Sequence, residues 1–151
     1  MNINEFITVE DVNRLIPRLQ PIRVKTGYNK EVLPEVLYPD VERVFNVKIR
    51  EVERVEIQLD LEQSDKSSLT HNPYPLSLNP EASYTGFMVV GNELRPLPIG
   101  STLDPKTGIF SWQPGPGFIG DYEFVFVKKT EESEQQKIKL KIRIVPKFRI
   151  P

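Results

Sequence analysis

Residues 100–127 read GSTLDPKTGIFSWQPGPGFIGDYEFVFV, and the punctuation of this stretch decides the fold class. Asp104 and Pro105 suit the opening positions of a tight turn, and Gly108 suits the left-handed position that closes it. The turn delivers the chain into a strand over 109–112. The run QPGPG at 113–117 cannot continue that strand and reads as a loop. Tyr122, Phe124 and Phe126 then alternate, while Val125 and Val127 make the same strand apolar on both faces, as a central strand is.

Working outward, the last strand alternates most regularly. Ile138, Leu140, Ile142 and Ile144 point one way, and Lys137, Lys139, Lys141 and Arg143 the other. Toward the N-terminus, 84–90 is an apolar run closed by Gly91-Asn92, and 93–97 is a short strand. Phe45, Val47 and Ile49 alternate, as do Val55, Ile57, Leu59 and Leu61. Glu51 and Glu53 interrupt the shared phase, so two strands, or one with a bulge, are expected there. Residues 62–83 are polar and proline-containing and read as a long loop. Near the start, Thr8 can cap a helix of about two turns whose Val9, Val12, Leu15 and Ile16 share a face, ended by Pro17. So short a helix must pack on something to exist. Residues 18–40 read as extended connector.

Seven or so short strands with turn signals between them make the chain all-β, an immunoglobulin-like β-sandwich preceded by an extended, short-helical N-terminal segment. The boundaries are an extension or linker over 1–40 and the sandwich over 41–148. On that reading, deleting residues 1–40 leaves a folded domain.

The 100–127 stretch also resembles the immunoglobulin-like and cadherin-like domains of bacterial surface and secreted proteins. Their pattern has a leucine–aspartate–proline–threonine–glycine turn, a strand ending in tryptophan, a proline/glycine loop, then glycine–any–tyrosine and an alternating strand. Leu103, Asp104, Pro105, Thr107, Gly108, Phe110, Trp112, Pro114, Gly120, Tyr122, Phe124 and Phe126 match it. The match is good over 84–145 and loose over 44–61; residues 1–40 lie outside it. The resemblance implies a non-catalytic structural or interaction module of a larger secreted or cell-surface bacterial protein. Its partners would be other domains of the parent protein, or a cell-surface protein or glycan. An extracellular or cell-surface location is implied in the same way. Some cadherin-like relatives bind calcium between domains, but no acidic cluster of that kind is visible here, so metal is not carried over.

Composition narrows the classes. The chain has 151 residues, one domain's worth, with 20 Lys+Arg against 21 Asp+Glu and a net charge of −1. That balance argues against a nucleic-acid binder. With no cysteine and the single histidine His71, thiol catalysis, disulfides and multi-histidine metal sites are out. No cofactor motif is present. No apolar run approaches about 18 residues, so membrane insertion is not expected. The N-terminus lacks the basic and apolar regions of a signal peptide, so the chain reads as a piece of something longer. No motif pairs two carboxylates, and the chain is expected not to be an enzyme.

The candidates for partner binding are His71, Tyr74 and Tyr84, on or beside the long loop. The alternative function is a carbohydrate-binding module, for which Tyr74 and Tyr84 are the available stacking rings. Trp112 is expected in the core, and Tyr122 as a corner tyrosine bonding backbone. Asp60, Glu62 and Asp65 have weak calcium-like spacing. The basic stripe 137–143 and the acidic stretch 51–65 are expected to face and balance each other across neighbouring strands.

Overall fold

The period-2 runs pair as two sheets packed face to face, and the odd-numbered and even-numbered residues of each run separate into core and outer face. The computed structural model describes residues 8–61, 82–130 and 135–147. The first sheet is built on β11 (Gln136–Val145), β10 (Gly120–Thr130), β6 (Ala82–Val90) and β7 (Glu93–Arg95), each antiparallel to the next. The other edge of β11 is shared by β1 (Ile16–Pro17) and β4 (Val44–Arg50), both parallel to it. The second sheet runs β3 (Glu35–Leu37), β2 (Ile22–Thr26), β5 (Val55–Gln58), β9 (Ile109–Trp112) and β8 (Thr102–Leu103). An all-β sandwich is the observed architecture.

The core between the sheets holds the residues that the alternation selects. Phe110, Trp112, Phe124, Phe126, Ile138, Leu140 and Ile142 are buried in one cluster, with Tyr122 packed against it. Phe110 lies 5.5 Å from Phe124 and 5.2 Å from Phe126 in tilted ring contacts. Trp112 meets Tyr122 and Phe124 edge-on at 5.5 and 5.7 Å. Tyr122 is placed through its ring rather than as a hydroxyl donor to a backbone corner.

The short helix α1 (Val9–Asn13) finds the packing that its length demands. Thr8 Oγ1 accepts from the Asp11 N–H, and the Asp11 carboxylate accepts from the Thr8 N–H, a reciprocal cap. Val12 then lies on Val125 and Val127, on the outer face of the first sheet. This second cluster explains why β10 is apolar on both faces. The helix ends at Asn13, earlier than the proline would impose, because Ile16 and Pro17 are drawn into register with Gln136 and Lys137.

The boundary expected at residue 40 is corrected by the same segment. From β1 the chain crosses to the second sheet, where β2 pairs with β5 from Arg23–Gln58 to Thr26–Val55. Ile22 and Val24 are buried in the main core. After β3 the chain returns to the first sheet as β4, continuing along the edge of β11 that β1 began. Residues 16–37 are therefore strands of the sandwich, not a linker. The Ile22-Arg23-Val24-Lys25-Thr26 alternation carries this signal in five residues, between Pro21 and Gly27.

Glu51 and Glu53 mark a crossover between sheets. Val52 takes a left-handed φ of 67° between them. The Glu53 carboxylate accepts from the Arg50 N–H at 3.0 Å, and that of Glu51 from the Gly117 N–H at 2.7 Å. The 104–108 turn forms as expected. Asp104 Oδ1 accepts from the Lys106 and Thr107 N–H groups, and Gly108 has φ 73°. A Cβ on Gly108 would lie 2.9 Å from the buried Tyr84 ring. Gly108→Ala is thus expected to cost more than Gly91→Ala. Gly91 has a similar φ of 61° but open space around it, so only the left-handed penalty of about 1–2 kcal/mol applies there. Thermal melting of the two variants checks the order.

Candidate functional site

Two features concentrate chemistry: a buried ionic knot at one end of the sandwich and an open side between the two sheets. The knot centres on Asp60, just past the end of β5 and buried. Its Oδ1 accepts from Arg18 Nη2 at 3.0 Å, and its Oδ2 from the Tyr84 hydroxyl at 2.8 Å and from Lys128 Nζ. Arg18 also donates to the Leu59 carbonyl at 3.3 Å and to Gln20 Oε1 at 3.1 Å. The acceptor lies in the link after β5, and its three donors come from the link after β1, from β6 and from β10. The solvent side is a cavity of about 500 Å³ lined by Pro17, Arg18, Leu19, Gln20, Lys128 and Gln136.

Burial pushes the Asp60 pKa up. The hydrogen bonds from Lys128 and Tyr84 and the charge of Arg18 outweigh that, so it stands below the ordinary carboxylate value. A carboxylate held ionised by two cations and a phenol is a cross-link, suited neither to donating a proton at neutral pH nor to holding calcium. The knot fastens the N-terminal segment to the strands on both sides of the core.

The open side is where both sheets end. β3 is the last strand of one and β4 the last of the other, and a groove of about 1230 Å³ lies between them. Its apolar lining includes Val24, Leu37, Val47 and Ile49, and residues 46–50 of β4 line it consecutively, with the Arg50 N–H and carbonyl both bonded to Glu53. Before β3, Val32 and Leu33 also line the groove and are 43% and 83% exposed. An apolar rim of this kind beside two free strand edges is a surface built to be covered.

The candidates drawn from sequence fare differently. Tyr84 is corrected: its ring is 1% exposed and its hydroxyl is spent on Asp60, so it can neither stack on a sugar nor meet a partner. Its place between Ala82 and the core residues of β6 gives it the inward phase. His71 and Tyr74 lie outside the described residues, as do Glu62 and Asp65. The expected balance of the 137–143 and 51–65 stripes is also corrected. β11 lies between β10 and β4, while Glu56 belongs to β5 in the opposite sheet and pairs with Arg54 at 3.2 Å. Arg18 and Lys128 carried no sequence signal, since their partner is 42 and 68 residues away. The groove was foreshadowed only by the apolar residues scattered over 32–41.

No family model matches the chain. No curated protein matches it. A solved structure of an endo-fucoidan hydrolase from glycoside hydrolase family 107 is similar over 85% of this chain, at 10% sequence identity and a TM-score of 0.43. The chain spans 19% of that protein's length. The expectation that the chain is not an enzyme is withdrawn on this finding, because the similar structure is an enzyme's. A likeness of this size carries neither that activity nor its substrate to this chain. No helix among the described residues is long and apolar enough to cross a membrane.

Proposed function

We propose that the chain is an immunoglobulin-like structural or interaction module of a larger secreted or cell-surface protein, docking to a neighbouring domain or surface protein through its open side. The observation that carries this reading is the exposed apolar pair Val32 and Leu33 on the groove that lies between the outer edges of β3 and β4. Strand order supports the immunoglobulin-like part. β2-β5-β9-β8 follows the A-B-E-D order of that plan, and β11-β10-β6 its G-F-C order, with β4 as a first strand that has switched sheets. A partner strand added to a free edge would gain main-chain hydrogen bonds there and cover the rim's side chains.

The absence of native cysteine makes the test direct. Leu33→Cys and Ile99→Cys each create a single thiol on this chain, the first in the rim and the second, 102% exposed, on the link between β7 and β8 at the far edges. Intact cells carrying the parent protein are treated with a membrane-impermeant maleimide. The expected result is labelling at position 99 and protection at position 33, with both positions labelled in the isolated chain. Failure of both to label on intact cells overturns the surface location. Equal labelling of both overturns the docked open side.

A further inference from the structure

The basic stripe of β11 is widened, not neutralised, by the strand beside it. β4 runs parallel to β11 in a register that sets Lys141 opposite Asn46 and Arg143 opposite Lys48. Phe45, Val47 and Ile49 are buried, so Asn46 and Lys48 share the outer face with Lys137, Lys139, Lys141 and Arg143. Arg43, with φ 68°, stands at the entrance to β4. Side chains on one face of a strand recur about every 7 Å, and neighbouring strands lie about 4.8 Å apart. The six cations thus form a strip along two parallel strands. It ends at Arg50, where Glu51 and Glu53 begin.

Three carboxylates lie within the strip. Asp121 pairs with Arg143 at 2.8 Å. Asp40 holds the Asn46 amide at 2.8 Å, and Glu123 stands opposite Lys141. Asp40 and Asp121 also lie within the field of Lys141, and Lys137 Nζ donates to the Asn13 carbonyl at 2.8 Å. Lys48 and Lys139 form no ion pair with a described residue. Burial, and then the charges of Lys139 and Arg43, lower the pKa of Lys137. This concentration of positive charge sits on a chain whose net charge is −1, so the molecule is electrostatically polarised.

The geometry points to the outer face of β4 and β11 as a binding strip for a linear acidic polysaccharide, its sulfate or carboxylate groups meeting Lys48, Lys139 and Lys141 and its hydroxyls meeting Asp40, Asn46 and Glu123. A polymer that carries both anions and hydroxyls fits a row of cations on β11 flanked by the carboxylates of β10 on one side and by the Asp40–Asn46 pair on the other. Single-stranded nucleic acid fits less well, because among the described residues the strip presents no aromatic side chain on which a base could stack. The strip shares Asn46 and Lys48 with the lining of the groove, and its β11 cations lie outside that lining.

The test measures binding of the chain to heparin and to polygalacturonate by calorimetry at two salt concentrations, with dextran and a single-stranded oligonucleotide alongside. Lys139→Gln/Lys141→Gln is compared with Lys30→Gln/Lys106→Gln, which removes equal charge from loops. All four positions lie on the surface or at its margin, and melting curves verify that the variants fold. The expected result is salt-sensitive binding of at least one acidic polysaccharide and none of dextran. Affinity should fall at least about tenfold in the strip variant, and little in the loop variant, because fewer counterions are released. Sulfate- and carboxylate-bearing arms report which group the strip reads. No binding of either acidic polymer, equal loss in both variants, or tighter binding of the oligonucleotide would overturn the assignment.

Discussion

Removal of residues 1–40 is expected to unfold the protein. The truncation strips β2 and β3 from one sheet and β1 from the other, and exposes the edge of β5. Ile22, Val24 and Val12 leave the two clusters in which they are buried. Each such side chain contributes about 1.5–3 kcal/mol through burial. Arg18 goes as well, and with it one of the two cations on a buried carboxylate. The combined loss is comparable to the net stability of about 5–15 kcal/mol that a whole domain has to spare. Circular dichroism of the 41–151 fragment should show no cooperative melt, and limited proteolysis should degrade it at many sites. A cooperative transition in the fragment would restore the boundary at residue 40.

Asp60→Ala is expected to cost about 3–5 kcal/mol, the usual penalty for leaving a buried charge without its partner. Arg18 keeps a guanidinium that is 5% exposed, and Tyr84 loses the acceptor of its hydroxyl. Asp60→Leu combined with Arg18→Met should recover much of the loss, since Lys128, with 14% of its side chain exposed, can turn toward water. Denaturant unfolding of the three proteins measures both effects. The knot also sets an acid limit. Asp60 has a lower pKa folded than unfolded, so its contribution is present above the unfolded value of about 3.9 and is lost as pH falls through the folded one. Asp60→Asn should therefore be less stable than the native chain at neutral pH, with a gap that narrows as the solution is acidified below that range. A gap that stays constant would mean that the carboxylate's charge contributes nothing.

The parts of this architecture that were legible from sequence are those fixed by local pattern. Alternation over 44–49, 55–59, 109–112, 122–127 and 138–144 carries its own burial phase, and a one-residue slip would turn every core side chain outward. The turn at Asp104-Pro105 and the Thr8 cap are equally local. What was not legible depends on pairing across long separations. Ile22 and Val24 alternate as clearly as the others, but two inward residues between a proline and a glycine do not distinguish a strand from an extended link. Tyr84 looked available because it flanks a polar stretch, whereas its phase in β6 and the presence of Asp60 turn it inward. The sharing of one edge of β11 by β1 and β4 was hidden for the same reason, and with it both the open side and the width of the basic strip.

Native-state hydrogen exchange at Arg23, Val24 and Lys25 tests most directly whether the N-terminal segment completes the sandwich. Strand β2 lies between β3 and β5, so these amides sit inside the second sheet and not at its rim. They are expected to exchange only through global unfolding, with the same free energy as amides of β5 and β9. Exchange at these positions through a local opening, orders of magnitude faster than in β5, would show that residues 16–37 lie on the domain without being part of it.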